Sequence, residues 1–388
     1  VTAAAEDIPA VQELYAENPS SPTAPAATGT NAVVIGSDSV SSGLNSFALG
    51  VSTDAIGSYD FAAGNGAQAT GGYSLALGLN AASSGQRSVA IGNNSVSASA
   101  DLSTAIGTNS GYGGSQAAGQ GAMALGGSRA SGTDSFAAAI ANNSASYGAS
   151  STNSVAIGKQ AKASGTSSLA LGQASAGAYG VAIGYQAYAS GSGAIAIGNQ
   201  YYLGTPTASG GGSIAIGDEA KATQKFSTAL GASSSSVIVG KYAYAGGEIS
   251  GHGDSQTGTL VLRTGTSDAT ATALTSNNST AGTTNQVILP NNSAYSFSGT
   301  IIAREQASAG SDYASWEIKG ALLRDANAAS TVLGNGIQNK LYATSGASAW
   351  AIALTADTTS GGLKIEVTGA ASTNIRWVAT VNTSEVTY

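Results

Sequence analysis

A five-residue unit, Ser-apolar-Ala-Ile/Leu-Gly, returns at a fixed interval through just over half of the chain, and that period limits the fold more than any other feature. It reads Ser46-Phe-Ala-Leu-Gly50, Ser74-Leu-Ala-Leu-Gly78, Ser88-Val-Ala-Ile-Gly92, Ser103-Thr-Ala-Ile-Gly107, Ser154-Val-Ala-Ile-Gly158, Ser168-Leu-Ala-Leu-Gly172, Ser213-Ile-Ala-Ile-Gly217 and Ser227-Thr-Ala-Leu-Gly231. Looser copies close at Gly36, Gly64, Gly126, Gly184, Gly198 and Gly240. The closing glycines at 36, 50, 64, 78 and 92 keep a strict spacing of 14, and the intervals of 19 (107 to 126, 198 to 217) read as five-residue insertions at one turn. Between units lies a second short element, such as Ala67-Gln-Ala-Thr-Gly71, Ala161-Lys-Ala-Ser-Gly165 or Ala187-Tyr-Ala-Ser-Gly191.

Each period is therefore expected to hold two short strands and two glycine turns. The unit alternates with period two, which suits a strand, and a closing glycine takes the positive φ of a tight turn without steric cost. The turn glycines are Gly36, Gly50, Gly64, Gly78, Gly92, Gly158, Gly172, Gly198, Gly217 and Gly231. Coils of this kind stack at about 4.8 Å in parallel ladders, so about fifteen of them make a rod of about 70 Å. So small a coil holds only small side chains. The alanines are expected inside, and Val89, Ile91, Val155, Ile157, Leu169, Leu171, Ile214 and Ile216 outside against a neighbour. A row of exposed branched residues is an aggregation hazard on a monomer, and three-fold closure into a homotrimer is the natural way to bury it along a rod. With large residues inside instead, the core would still be thin.

Composition agrees with a backbone-built fold. Of 388 residues 54 are glycine and only 9% are charged, against about 7% and about 25% in ordinary globular domains. There is no cysteine, hence no disulfide and no thiolate metal ligand. The net charge of −7 argues against nucleic-acid binding, which leaves a basic footprint. No apolar run approaches the roughly 20 residues that span a bilayer, so no membrane insertion is expected. No secretory pattern opens the chain, and Val1 marks either a processed terminus or a piece of a longer product.

Residues 31 to about 240 resemble the head region of trimeric autotransporter adhesins, whose repeat Asn153-Ser-Val-Ala-Ile-Gly158 reproduces. The resemblance implies a left-handed parallel β-roll, trimeric, with the bulky residues at the trimer centre. The same roll occurs in bacterial adhesins and in phage fibres.

Residues 1–30 read as an attachment segment and Pro-rich linker. Asp7 to Tyr15 suits a short helix capped by Asp7 with Pro9 in its first turn, and Pro19, Pro22 and Pro25 mark an extended stretch. The β-roll shaft is assigned to 31–245, a Gly-rich neck to 246–258 and an antiparallel β-sandwich to 259–388. The strand candidates of the last region are Thr259–Arg263, Gln286–Leu289, Tyr295–Arg304, Tyr313–Arg324, Trp350–Ala356, Leu363–Thr368 and Ile375–Asn382, separated by turn residues. Trp316, Trp350 and Trp377 are read as core anchors, with a sugar-stacking platform as the alternative. Segments such as Ala294–Arg304, Arg324–Thr331 and Ile375–Val381 resemble the terminal β-domain of tail-fibre and other virion proteins of tailed phages. No four-strand membrane anchor follows, which favours the phage reading.

Catalytic chemistry finds little support. His252 is the single histidine and sits in the neck, where a solvated linker residue is the plain reading. The run Gly111 to Gly121 lacks the Gly-Lys-Ser/Thr ending of a phosphate loop and lies within the repeat pattern, and Gly240-Lys241 is a repeat end. Glu305, Asp312 and Glu317 lie close enough in sequence to suggest a glycosidase pair, yet read as structural charges. No enzyme, cofactor or metal is expected. The sequence points to a virion fibre, of tail or capsid, that attaches to the host surface. Its expected partners are a host glycan or protein, and other virion proteins through residues 1–30. A bacterial trimeric surface adhesin is the alternative.

Overall fold

The computed structural model describes residues 23–108, 114–138, 146–200, 204–306 and 312–388. The helix expected over Asp7–Tyr15 lies outside them, as do parts of the inserted turns. The chain divides into two compact units, residues 1–173 and 174–388. Among the described residues there is no α-helix.

In the first unit two series of parallel strands alternate along the chain. Three-residue strands take the pentads, from Val33–Ile35, Phe47–Leu49 and Phe61–Ala63 onward to Leu169–Leu171. Two-residue strands take the elements between them, from Ala26–Ala27 and Val40–Ser41 onward to Lys162–Ala163. Each residue pairs in register with its counterpart one coil away, so that Val89 faces both Leu75 and Thr104, and Ala90 both Ala76 and Ala105. A backbone ladder therefore closes every coil on the next: Val89 donates to the Ser103 carbonyl at 2.9 Å and Gly92 to that of Leu77 at 2.8 Å.

The coil interior is built of residues that can meet across a few ångströms. Ala48, Ala62, Ala76 and Ala90 from the longer strands, and Ala55, Ala69 and Ala98 from the shorter ones, are wholly buried. The pentad serine is inside as well, and in most coils its hydroxyl has a partner there, Ser168 and Ser213 being exceptions. Ser88 Oγ donates to the Gly85 carbonyl at 2.7 Å and lies 2.6 Å from Ser83 Oγ. Where Asp60 replaces serine, its carboxylate accepts from the Gly57 N–H at 2.7 Å and from the N–H and hydroxyl of Ser74 at 2.8 and 2.9 Å. This satisfaction is the condition for burying such a group.

The residue before each pentad serine turns the corner in the left-handed region. Asn45, Tyr59, Tyr73 and Arg87 have φ of 54°, 62°, 55° and 57°. Asparagine tolerates this backbone and larger residues do so at a cost. Stacking offsets part of it, since the Tyr59 and Tyr73 rings lie 4.8 Å apart.

The second unit begins with coils of the same kind and ends with long antiparallel strands, numbered here from the first of them. β1 (Ser255–Thr266) pairs antiparallel with the last coil strand, Tyr242–Tyr244, with Tyr242 opposite Thr259. It starts inside the Gly-rich stretch 246–258. β2 (Thr272–Ala273), β3 (Val287–Ile288), β4 (Ser293–Glu305), β5 (Tyr313–Arg324), β6 (Val332–Ala343), β7 (Ala351–Asp357), β8 (Gly362–Thr368) and β9 (Ile375–Thr387) follow. One sheet runs β1-β9-β4-β5-β6. In the other, β8 pairs with β2, β3 and β7. The inward residues of both sheets form one core, among them Leu260, Leu262, Phe297, Ile301, Ile318, Leu363, Ile365 and Val381. This is the alternation of a two-sheet antiparallel packing.

Candidate functional site: the outward faces

With the alanines filling the coils, the larger residue on each side of every alanine must stand outward. Val89, Ile91, Val155, Leu169, Leu171 and Ile214 are half-buried, and Ile157 and Ile216 are 37% and 38% exposed. In-register pairing lines them up. In the first unit Val155 faces Leu169 and Ile157 faces Leu171; in the second, Ile214 and Ile216 face Ile195 and Ile197. Each unit thus carries two parallel apolar columns that stand outward, half-buried to exposed among the described residues. All ten turn glycines have positive φ, from 83° at Gly172 to 147° at Gly50.

Where the coils end, the open edge is closed by β1 and by a buried ion pair. Lys241 Nζ lies 2.6 Å from Glu385 Oε2, with both side chains no more than 2% exposed. Gln256 Nε2 donates to the same oxygen at 2.7 Å, and the Thr383 hydroxyl donates to Glu385 Oε1 at 2.6 Å. Burial and the Glu385 charge push the Tyr295 hydroxyl well above its ordinary range. Lys241 is thus committed to a structural pair that joins the last coil to β9.

The turn into β1 is held by Asp254, whose carboxylate accepts from the N–H groups of Ile249 and Gly251 at 3.0 and 2.8 Å, from that of Ser250, and from the Ser255 hydroxyl at 3.0 Å. Burial alone raises a carboxyl, but these donors outweigh it and hold Asp254 well below its ordinary value of 3.8. In the same way burial is outweighed at Asp357 by the Ser360 N–H, the Gln286 amide and the Thr359 N–H. Since the folded value is the lower one, this stabilisation is complete above the ordinary carboxylate range and is lost as the pH falls below about 4. The melting temperature of the second unit should drop between pH 6 and pH 3, and Asp254→Asn should melt lower at pH 6 with a shallower acid dependence. An unchanged profile in that variant would contradict the assignment.

His252 is more enclosed than a linker residue is expected to be. Its Nε2 lies 3.6 Å from Glu219 and its Nδ1 3.7 Å from Glu248, and one donor atom from each of the three residues lies within 4.8 Å of the others. Glu219 is buried and accepts from the Gly204 N–H at 2.9 Å. Sequence reasoning missed this group because Glu219 comes from a coil and the other two residues from the turn region. The carboxylates expected to be structural are spread apart in role. Glu317 lies 3.6 Å from Lys319, Asp312 accepts from the Gly346 N–H at 3.2 Å, and Glu305 accepts weakly from the Asp312 N–H. Trp316, Trp350 and Trp377 are at most 2% exposed. Inside the core Trp316 stacks on Trp377 at 5.6 Å and Trp350 meets Trp377 at a tilt at 5.8 Å, so they offer no sugar platform.

The YadA head domain repeat matches residues 27–53, 55–81, 69–95, 83–110, 149–175, 175–200 and 208–234, each match spanning two copies. The matched coils are therefore of the YadA head-repeat type. No match was found among curated protein sequences. Of solved structures, the chain is similar to the tailspike protein of Acinetobacter phage vB_ApiP_P1, at 9% identity over 94% of this chain and 80% of that one, with a TM-score of 0.27. It is also similar to the tailspike protein of Acinetobacter baumannii phage AM24, at 10% identity over 90% of this chain and 58% of that one, with a TM-score of 0.17. Neither overlap is close enough to carry a residue or a role from those proteins to this chain. Among the described residues, no helix is long and apolar enough to cross a membrane.

Proposed function

We propose that this chain is the protomer of a homotrimeric fibre displayed on the outside of a virion, which attaches the particle to a bacterial surface. The observation that supports the reading is a sealed alanine interior beside outward-facing apolar columns, in repeats of the adhesin-head type. Columns of Val, Ile and Leu at this length need a partner, and three copies around an axis cover them all at once. The fibre is non-catalytic: it is anchored by residues 1–30 to other virion proteins, and its antiparallel C-terminal region contacts a host glycan or protein. Three copies raise the avidity of weak contacts. The resemblance of the C-terminal strands to tailed-phage fibre domains supports the virion as bearer.

The head-repeat match favours one second reading, a bacterial surface adhesin. Immunogold electron microscopy with antibody against residues 285–388, on the source culture and on purified particles, separates the two. Label on particle fibres is the expected result, and label confined to the bacterial envelope would replace the virion with the cell as bearer. Release of sugar from a host polysaccharide, abolished by Glu317→Gln, would show instead that the fibre is catalytic.

A further inference from the structure

The outward face of the β1-β9-β4-β5-β6 sheet carries a charge arrangement that its folding does not need. Arg304 on β4 and Arg376 on β9 are direct cross-strand partners. Arg263 on β1 faces Val378, two residues along β9 from Arg376. All three are exposed. The arginines of the chain are 87, 129, 263, 304, 324 and 376, so half of them meet at one end of one sheet, in a chain of net charge −7. Like charges directly opposite each other work against strand pairing. Arg304 keeps a contact within the chain, but a guanidinium has five N–H donors and one contact does not exhaust them.

Next to this pair the face turns aromatic and apolar. Arg304 is opposite Tyr313, whose ring stacks on Tyr342 at 5.2 Å. Both tyrosines are exposed, as are Ile302 and Val378, which face each other two residues along from Arg304 and Arg376, in the row that runs from Arg263 to Tyr342. Of the neighbouring acids, Asp312 accepts from Gly346 and Glu317 lies by Lys319. A flat face with planar cationic forks, ring edges and small apolar ground fits one kind of partner: a saccharide chain bearing anionic groups. Arginine grips carboxylate or phosphate in bidentate fashion, and the rings and aliphatic groups receive the apolar faces of the sugars.

We propose that Arg263, Arg304, Arg376, Tyr313 and Tyr342 form a binding surface for an acidic polysaccharide, a proposal that rests on the attachment reading and names its ligand class. Nucleic acid fits less well. Its charge recurs every ~1.7 Å of duplex, and the acidic remainder of the chain repels so dense a polyanion. An acidic polysaccharide spaces its charges one or more sugars apart.

The test is titration of the full chain with four probes: hyaluronate oligosaccharides for the carboxylate, a phosphodiester-bearing mannan for the phosphate, neutral dextran, and oligo-dT. Binding to one or both acidic saccharides and not to dextran is expected, weakening as salt rises, and the tighter of the two names the anion. Arg304→Gln with Arg376→Gln should lose at least tenfold in affinity and melt no lower than wild type, whereas Arg87→Gln should change neither. Lysine at both positions should restore only part of the binding, because an ammonium is not bidentate. Equal affinity in wild type and double variant, failure to bind either polymer, or tighter binding of oligo-dT than of both would overturn the proposal. Cell binding of the same double variant keeps the two readings apart. Wild-type retention on cells, with no binding to anionic polymer, sinks this surface and leaves attachment standing.

Discussion

Lys241→Met should destabilise the second unit by about 3–5 kcal/mol, because it leaves the Glu385 carboxylate buried beside an apolar side chain. Both partners are almost wholly enclosed, and the pair is 2.6 Å apart. Gln256 and Thr383 still donate to Glu385 in the variant, but two neutral donors do not replace a cation. The cost should fall sharply when the charge is removed as well. Lys241→Met with Glu385→Gln should recover much of the loss, giving a coupling energy between the two sites of about 0.5–3 kcal/mol. Chemical denaturation followed by tryptophan fluorescence reads this directly, since all three tryptophans lie in the same core. Additive costs in the double variant would mean that the pair does not work as a unit.

The second large effect is expected at a turn glycine. Gly92 has φ +139°, and a Cβ there would run into the carbonyl oxygen of Gly107 one coil on. Nothing can move to make room, because the oxygen belongs to the stacked backbone. Gly92→Ala should cost about 3 kcal/mol or more, from the strained backbone and the clash together. Gly72, in the same unit, provides the control. Its φ is +84°, but the nearest atom to an added Cβ is the Ser58 carbonyl oxygen at an ordinary 3.8 Å, so Gly72→Ala should cost only about 1–2 kcal/mol. Equal losses at the two positions, measured by hydrogen exchange of the neighbouring coil strands, would show that coil stacking is not the constraint.

The coils are legible in the sequence for the same reason that they are sensitive to substitution. A repeat whose every position has one task writes that task out many times. Alanine marks the interior, serine an inward hydroxyl that in most coils reaches back to the carbonyl three residues earlier, and glycine the turn. In the C-terminal region alternation located Tyr313–Arg324 to the residue, and the burial of the tryptophans could be read from their place in alternating strands. The strand β6 was missed. Gly334, Asn335 and Gly336 interrupt its pattern, and as the outermost strand of its sheet it buries almost nothing, so no hydrophobic period is impressed on it. The Lys241–Glu385 pair was invisible for another reason: 144 residues separate its members, and no local pattern ties one to the other. The arginine corner escaped notice likewise, because Arg263, Arg304 and Arg376 become neighbours only once the sheet order is known.

The proposed fibre depends on one claim, that coils with alanine interiors leave apolar columns for further copies of the chain to cover. The direct measurement is the mass of the full chain under native conditions, by native mass spectrometry at micromolar concentration. The account predicts three chains, with Val155→Asp and Ile157→Asp together weakening or abolishing that assembly. A folded, stable single chain at the same concentration, its columns open to water, would contradict it.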